Sequence, residues 1–125
     1  MRIAALDLGS NSFHLLVVET RPDGSFVPLV REKEMLRLGD VVAREGRLTE
    51  EAIEAAIDTV RRFKAIAEVQ RIDETVAMAT AALREATNGP EVAERIEAAT
   101  GVAIKVVSGI REAQLIFEAV RASVL

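Results

Sequence analysis

Short apolar runs separated by polar turns open the chain and predict three strands in succession. Ile3 to Leu6 is an apolar run typical of a buried strand, and Phe13 to Val18 is a second apolar segment. A third strand is predicted from Phe26 to about Met35. Pro28 favours a sheet edge or a bulge, because proline cannot donate a hydrogen bond to a neighbouring strand. Since short turns join the three strands, we expect an antiparallel meander.

Helical periodicity begins after residue 48 and then alternates with strands. Thr49 precedes two acidic residues and predicts the N-cap of a long helix that runs to about Gln70. Residues 36–48, which contain two glycines, predict a loop before it. The later predicted elements are a strand at Thr75–Ala79, a helical turn at Thr80–Ala86, a helix at Glu91–Thr100, a strand at Val102–Val107 and a helix from Ile110 to about Ala122.

The order β-β-β-α-β-α-β-α predicts an α/β fold. Strands separated by helices are typical of parallel crossovers, so the later strands extend the meander in parallel. We therefore expect a mixed five-stranded sheet with helices on its faces. The 125 residues suit one domain, and their hydrophobic share of 50% supplies a core that must be aliphatic, because aromatic residues make up only 3%.

Composition excludes several classes of function. Without cysteine the chain has no disulfide, thiolate zinc site or cysteine nucleophile, and a single histidine argues against a histidine metal cluster or a catalytic triad. A net charge of −4 argues against a general nucleic-acid-binding surface. No apolar run is long enough for a membrane span, and the start of the chain lacks the features of a signal peptide. We expect a soluble, cytoplasmic protein with no membrane or nucleic-acid partner.

The polar turn between the first two predicted strands is the first candidate site. Gly9 allows a close backbone approach, and successive N–H groups in such a turn can form an anion-binding nest. Asp7, at the end of the first strand, can hold Mg²⁺ through water. The predicted phosphate-binding residues are Gly9, Ser10, Asn11 and Ser12. The alternative is a purely structural turn, since glycine, asparagine and serine are also favoured in hairpins for geometric reasons.

Two further segments follow buried strands and are expected at the same sheet edge as residues 7–12. They are residues 80–84 and residues 108–112. Ligands of open α/β sheets bind beyond the carboxyl ends of the parallel strands, so the order of elements brings the three segments together. Arg84 lies one turn into a helix and can bind phosphate in a bidentate manner. A surface ion pair of Arg84 with a neighbouring glutamate is the alternative.

Four separated segments resemble the exopolyphosphatase / guanosine pentaphosphate phosphohydrolase family, which belongs to the actin-like, sugar-kinase and Hsp70-type superfamily. The first segment is similar to that family's first phosphate loop. The order of elements is also that of the ribonuclease H-like half-domain that the superfamily uses twice. The four segments are Asp7-Leu-Gly-Ser-Asn-Ser-Phe-His-Leu15, Arg37-Leu-Gly39, Ala79-Thr-Ala-Ala-Leu-Arg-Glu-Ala86 and Ser108-Gly-Ile-Arg-Glu-Ala113.

The resemblance implies hydrolysis of a phosphoanhydride. The substrate would be inorganic polyphosphate or guanosine pentaphosphate, which would be converted to the tetraphosphate. Glu112 matches the second glutamate of the family pattern Ser-Gly-x-Glu-Glu-Ala, the proposed general base, whereas Arg111 replaces the first. Arg84 would hold phosphate charge and Asp7 would anchor hydrated Mg²⁺. From the residues alone, Glu112 only complements a helix dipole.

The family's second phosphate loop, Asp-x-Gly-Gly-Gly-Ser-Thr-Glu, does not occur in the 125 residues. We therefore interpret residues 1–125 as the N-terminal ribonuclease H-like domain of a longer two-domain phosphatase. This domain supplies half of a cleft, needs its own C-terminal domain as a partner, and is expected to be inactive alone. Whether it forms a homodimer is left open.

Two other functions remain open. A sugar or acetate kinase of the same superfamily shares Asp-x-Gly in the first loop, but the continuation from Asn11 to Leu15 favours the phosphatase. A non-catalytic, actin-like regulatory module has the same fold, and fold alone does not decide function. Arg37 either faces the cleft or forms a loop ion pair. His14 is expected to be packed or solvent-facing rather than catalytic.

Overall fold

Five strands form one mixed sheet. The structure is a computed structural model that describes residues 1–106. The order across the sheet is β3-β2-β1-β4-β5. The central strand β1 pairs antiparallel with β2 and parallel with β4, so it joins the meander to the parallel half. The strands are β1 (Arg2–Leu8), β2 (Ser12–Thr20), β3 (Phe26–Met35), β4 (Glu74–Ala79) and β5 (Lys105–Val106).

The helices of the described part are α1 (Leu38–Glu45), α2 (Glu50–Val69), α3 (Ala81–Glu85) and α4 (Gly89–Thr100). Thr49 caps α2 as predicted, because its hydroxyl oxygen accepts the N–H of Ala52 at 3.2 Å. Gly101 ends α4 with a left-handed φ of 78°, which glycine adopts at little cost. Within residues 1–106, no helix combines the length and the apolar character needed to cross a bilayer.

One face of the sheet shares a single core with the helices. Alternate residues of β1 and β2 are buried in this core, namely Ala4, Leu6, Leu8, Phe13, Leu15 and Val17. Because side chains alternate along a strand, the intervening residues belong to the opposite face. We call this opposite face the open face. It carries Asp7, His14 and Lys33, which lie in register on β1, β2 and β3.

The predicted mixed five-stranded α/β fold is confirmed, and residues 1–106 contain one helix, α1, that was not predicted. The prediction of a loop at residues 36–48 is wrong, because α1 occupies part of it. At the start of this helix the N–H of Gly39 donates to the carbonyl of Ser10 at 2.7 Å, so the turn between β1 and β2 caps it. The predicted last helix, residues 110–122, lies outside the described residues.

The ends of two strands also differ from the prediction. β1 runs on through Asp7 and Leu8, because these residues pair with His14 and Phe13 across the hairpin. Asp7 therefore lies within a strand and not at its end. β5 begins at Lys105 and not at residue 102, where the chain is still packed into the core below α4.

The edge position predicted from Pro28 is confirmed. β3 is an edge strand of the sheet, and its pairing with β2 shifts register opposite Val17 and Val18, where Pro28 pairs. A bulge at this point accommodates a residue that has no N–H to donate.

Candidate functional site

The turn between β1 and β2 is closed by its own backbone. The N–H of Gly9 donates to the carbonyl of Ser12 at 3.1 Å. A Cβ atom at Gly9 would lie only 2.9 Å from that oxygen, a distance that real Cβ atoms do not adopt. Contact within the turn itself therefore explains why glycine stands at this position.

The start of α1 packs directly on this turn. The N–H of Gly39 donates to Ser10, and the N–H groups of Leu36 and Arg37 both donate to the carbonyl of Asn11 at 2.9 Å. Arg37 is the N-cap residue of α1 and has a left-handed φ of 54°. The turn carbonyls thus replace the side-chain cap that α1 lacks.

These contacts orient the N–H groups of the turn. The described residues contain no cis peptide bond, and in a trans peptide the carbonyl and the following N–H point in opposite directions. Because the carbonyl of Ser10 points at α1, the N–H of Asn11 points away from it. Among residues 1–106, no atom accepts the N–H of Ser10 or Asn11. The turn therefore presents two donors that are suited to an anion.

Asp7 lies on the open face, two residues before Gly9 of the turn. It pairs with His14 on β2. Partial burial raises the pKa of the Asp7 carboxyl above its ordinary value, and the nearby His14 offsets this in part. Within the described part of the chain, no cluster of three or more metal-binding side chains exists. A lone half-buried carboxylate fits a hydrated Mg²⁺ held through water and does not fit a site built only from protein ligands. His14 is exposed, in line with the solvent-facing alternative.

Arg84 is carried by α3, which begins at the same edge of the sheet. The N–H of Thr80 donates to the carbonyl of Leu8 at 3.3 Å, so the end of β4 lies beside the end of β1. The Arg84 side chain is 37% exposed, and its Nη2 lies 3.8 Å from Oε1 of Glu85. The structure thus brings Arg84 to the edge that carries the turn, and it also contains the surface ion pair that was the alternative.

The third predicted segment is only partly described. β5 pairs in parallel with β4, where Ala79 lies opposite Val106, so this strand runs toward the same edge. Glu112 and Arg111 lie outside the described residues.

Sequence reasoning missed the role of Asn88. Its side-chain amide forms hydrogen bonds with both the N–H and the carbonyl of Leu48. The N–H of Thr87 donates to the carbonyl of Gly46 at 3.0 Å. These contacts fix the loop before α4 to the segment that joins α1 to α2. They therefore link α3, which carries Arg84, to α1, which contacts the turn. The only available signal was a polar residue before Gly-Pro, which predicts no more than a turn.

Comparison with known proteins agrees with this geometry. The sequence profile of the Ppx/GppA phosphatase family matches residues 16–125. The chain belongs to this family. Exopolyphosphatase 1 of Mycobacterium leprae (strain TN) is 38% identical over 121 residues, which cover 97% of this chain and 36% of that protein. Exopolyphosphatase 1 of Mycobacterium tuberculosis (strain H37Rv) is 37% identical over the same length.

Solved structures of Ppx/GppA proteins share the fold. The family member from Aquifex aeolicus superposes with a TM-score of 0.85 at 30% identity, over 96% of this chain and 39% of that one. An exopolyphosphatase from Cytophaga hutchinsonii gives a TM-score of 0.84 at 35% identity, over 96% of this chain and 38% of that one. The sheet is therefore that of the actin-like fold, and the chain spans little more than a third of the length of these relatives.

Proposed function

We propose that this chain is part of a phosphoanhydride hydrolase that releases the terminal phosphate of inorganic polyphosphate or of guanosine pentaphosphate. The observation that carries the proposal is the turn between β1 and β2, where the N–H groups of Ser10 and Asn11 have no acceptor among residues 1–106 and that of Asn11 points away from α1. Membership of a phosphatase family and similarity to proteins named exopolyphosphatase support it.

The turn and Arg84 hold the terminal phosphate in this proposal. The donors are the backbone N–H groups of Ser10 and Asn11 and the hydroxyl of Ser12, at an edge where Gly9 keeps the turn tight. The Arg84 guanidinium adds a charge-assisted contact, worth about 1.5–3 kcal/mol. Donors fixed in place around a phosphoryl group stabilise the charge that it carries in the transition state.

Glu112 acts as the general base. It takes a proton from the attacking water, the water oxygen bonds to the terminal phosphorus, and the bridging P–O bond breaks. The shortened phosphate chain is the leaving group. Asp7 would hold Mg²⁺ through water, and the bound ion would neutralise phosphate charge.

The complete enzyme in this proposal has a second domain. The chain spans only 36% of Exopolyphosphatase 1 from Mycobacterium leprae, so the proposed partner is a C-terminal domain that closes the cleft from the other side.

The test is phosphate release from linear polyphosphate by the protein that carries this chain together with its C-terminal domain. Glu112→Gln should lower turnover by roughly 10²–10⁴, the usual size of general-base catalysis, while polyphosphate binding is kept. Glu91→Gln, at an exposed glutamate in the first turn of α4, is the matched control. An unchanged rate in the Glu112 variant, or no phosphate release by the parent, contradicts the proposal.

A further inference from the structure

On the edge strand β3, neighbouring basic and acidic side chains belong to opposite faces of the sheet. Arg31 pairs with Leu16 and Lys33 pairs with His14, so both cations belong to the open face. Glu32 pairs with Leu15, a core residue, so its side chain belongs to the helical face, as does that of Glu34. Residues 31–34 of β3 therefore contribute two cations, Arg31 and Lys33, to the open face and no carboxylate.

The two faces of β3 also differ in how their charges are neutralised. On the helical face, Glu34 forms an ion pair with Arg62 of α2 at 3.2 Å. Arg31 and Lys33 are exposed, and neither takes part in an ion pair with any of residues 1–106. The positive charge of the open face is thus available to a ligand.

A groove runs along this part of the open face. Arg31 and Lys33 of β3 line one side and Ala5 and Asp7 of β1 the other, with His14 and Leu16 of β2 between them. Leu15 and Glu32, whose side chains belong to the helical face by register, complete the lining. Ile3 and Met78 are buried on the same face, so its accessible part is the β2–β3 half that contains the groove.

The end of the groove formed by Asp7, His14 and Lys33 lies two residues along β2 from the turn. Ser12 is the first residue of β2, and the N–H of Asn11 points away from α1, which belongs to the helical face. Ser12 and Leu16 are four residues apart, and at ~3.3 Å per residue the level of Arg31 lies about 13 Å from the turn. One phosphate on the turn cannot reach that far, whereas an extended chain of phosphates can.

We propose that this groove binds the inner phosphates of a linear polyphosphate whose terminal phosphate lies on the turn. The proposal rests on the proposed function and adds Arg31 and Lys33 as residues that determine specificity for chain length. Their charge is complementary to a chain that carries a negative charge on every unit, and the groove is open along its length. The side chain of Asp7 lies at the end near the turn, where the proposed Mg²⁺ offsets its charge.

The first experiment compares substrates of two lengths in the protein that carries this chain with its C-terminal domain. Arg31→Ala/Lys33→Ala should raise the KM for long-chain polyphosphate by at least about tenfold, since one charge-assisted contact corresponds to about an order of magnitude in affinity. The kcat, and the KM for tripolyphosphate, should stay close to the parent values.

The matched control is Arg21→Ala/Arg61→Ala, which removes the same charge from exposed positions outside the groove. An equal rise in KM for both substrate lengths, or the same rise in the control, would overturn the proposal. So would an unchanged KM for long-chain polyphosphate, which would mean that the cations only protect the edge strand from pairing with other chains.

A second experiment separates failure of the groove from failure of the proposed function. Long-chain polyphosphate is titrated into the 125-residue chain and its two double variants by calorimetry, after circular dichroism has verified the fold. Weaker binding only in Arg31→Ala/Lys33→Ala supports the groove even if no protein form hydrolyses polyphosphate. Equal binding by all three overturns the groove and leaves the hydrolase proposal standing.

Discussion

The side-chain amide of Asn88 pairs with the backbone of Leu48 as a neighbouring strand would. Its Oδ1 accepts the N–H of Leu48 and its Nδ2 donates to the carbonyl, each at 2.9 Å. Leu48 is completely buried, so water cannot easily replace either bond. One side chain therefore satisfies both polar groups of a buried residue and joins the loop before α4 to the segment before α2.

Asn88→Ala should destabilise the fold by about 1–3 kcal/mol for each backbone group of Leu48 that loses its partner. Asn88→Asp keeps the acceptor but places a carboxylate oxygen against the Leu48 carbonyl, so it should lose at least as much stability at neutral pH. Urea denaturation measures both. An alanine variant as stable as the parent would mean that these two bonds contribute nothing net.

Gly89→Ala should be among the most damaging single changes in the chain. A Cβ atom at Gly89 would overlap the carbonyl oxygen of Leu83, so α3 and α4 would have to separate. We expect a loss of more than about 3 kcal/mol, measured by thermal unfolding. Gly46→Ala is the control, because no atom lies within 4 Å of a Cβ at Gly46 and only its positive φ of 74° opposes alanine, so about 1–2 kcal/mol should be lost. Equal losses would contradict the steric explanation.

Arg37 offers a test of backbone strain next to the turn between β1 and β2. Arg37→Gly and Arg37→Ala both remove the side chain, which pairs with Asp40 at 3.8 Å. Only glycine relieves the left-handed φ of 54°. The glycine variant should therefore be the more stable of the two by about 1 kcal/mol in urea denaturation. Equal stabilities would show that the conformation at Arg37 carries no strain.

Asp7→Asn should raise stability at neutral pH and abolish Mg²⁺-dependent phosphate release by the complete protein. Burial raises the pKa of Asp7, so ionising it costs more in the fold than in the unfolded chain. This cost is present above both pKa values and disappears below the ordinary value of 3.8, where both states are protonated. The gain in thermal midpoint should therefore vanish in acid. A gain that persists there would contradict burial as its cause.

Arg84→Ala should weaken polyphosphate binding by about 1.5–3 kcal/mol, the value of one charge-assisted hydrogen bond. Salt should weaken binding in the parent more than in the variant, because it screens exposed charges. Arg95→Ala is a control on α4, where the arginine pairs with Glu50 at 2.6 Å. The same salt dependence in all three proteins would argue that Arg84 does not contact the substrate.

Local sequence signals predicted most of the sheet. The apolar runs of β1 and β2, the cap at Thr49 and the edge position of Pro28 all depend on nearby residues, so they could be read directly. The order of elements alone predicted that the turn and the start of α3 lie at the same edge of the sheet.

The features that were missed depend on residues far apart in the sequence. α1 starts at an arginine with a left-handed backbone and has no side-chain cap, so its local pattern predicts a loop. Its N–H groups are satisfied by Ser10 and Asn11, nearly thirty residues earlier. The bonds of Asn88 span 40 residues. The groove lined by Arg31 and Lys33 was missed because predicting it requires the register of β2 with β3, which no local pattern supplies.

The central place of β1 has a consequence for the turn that follows it. Hydrogen bonds to β2 and β4 hold this strand along both edges, so its amide hydrogens should exchange with solvent only when the whole domain opens. The donors of Ser10 and Asn11 are thus attached to the most protected strand of the sheet. In the proposed function, an arriving phosphate would meet a preorganised turn, and little conformational entropy would be lost on binding.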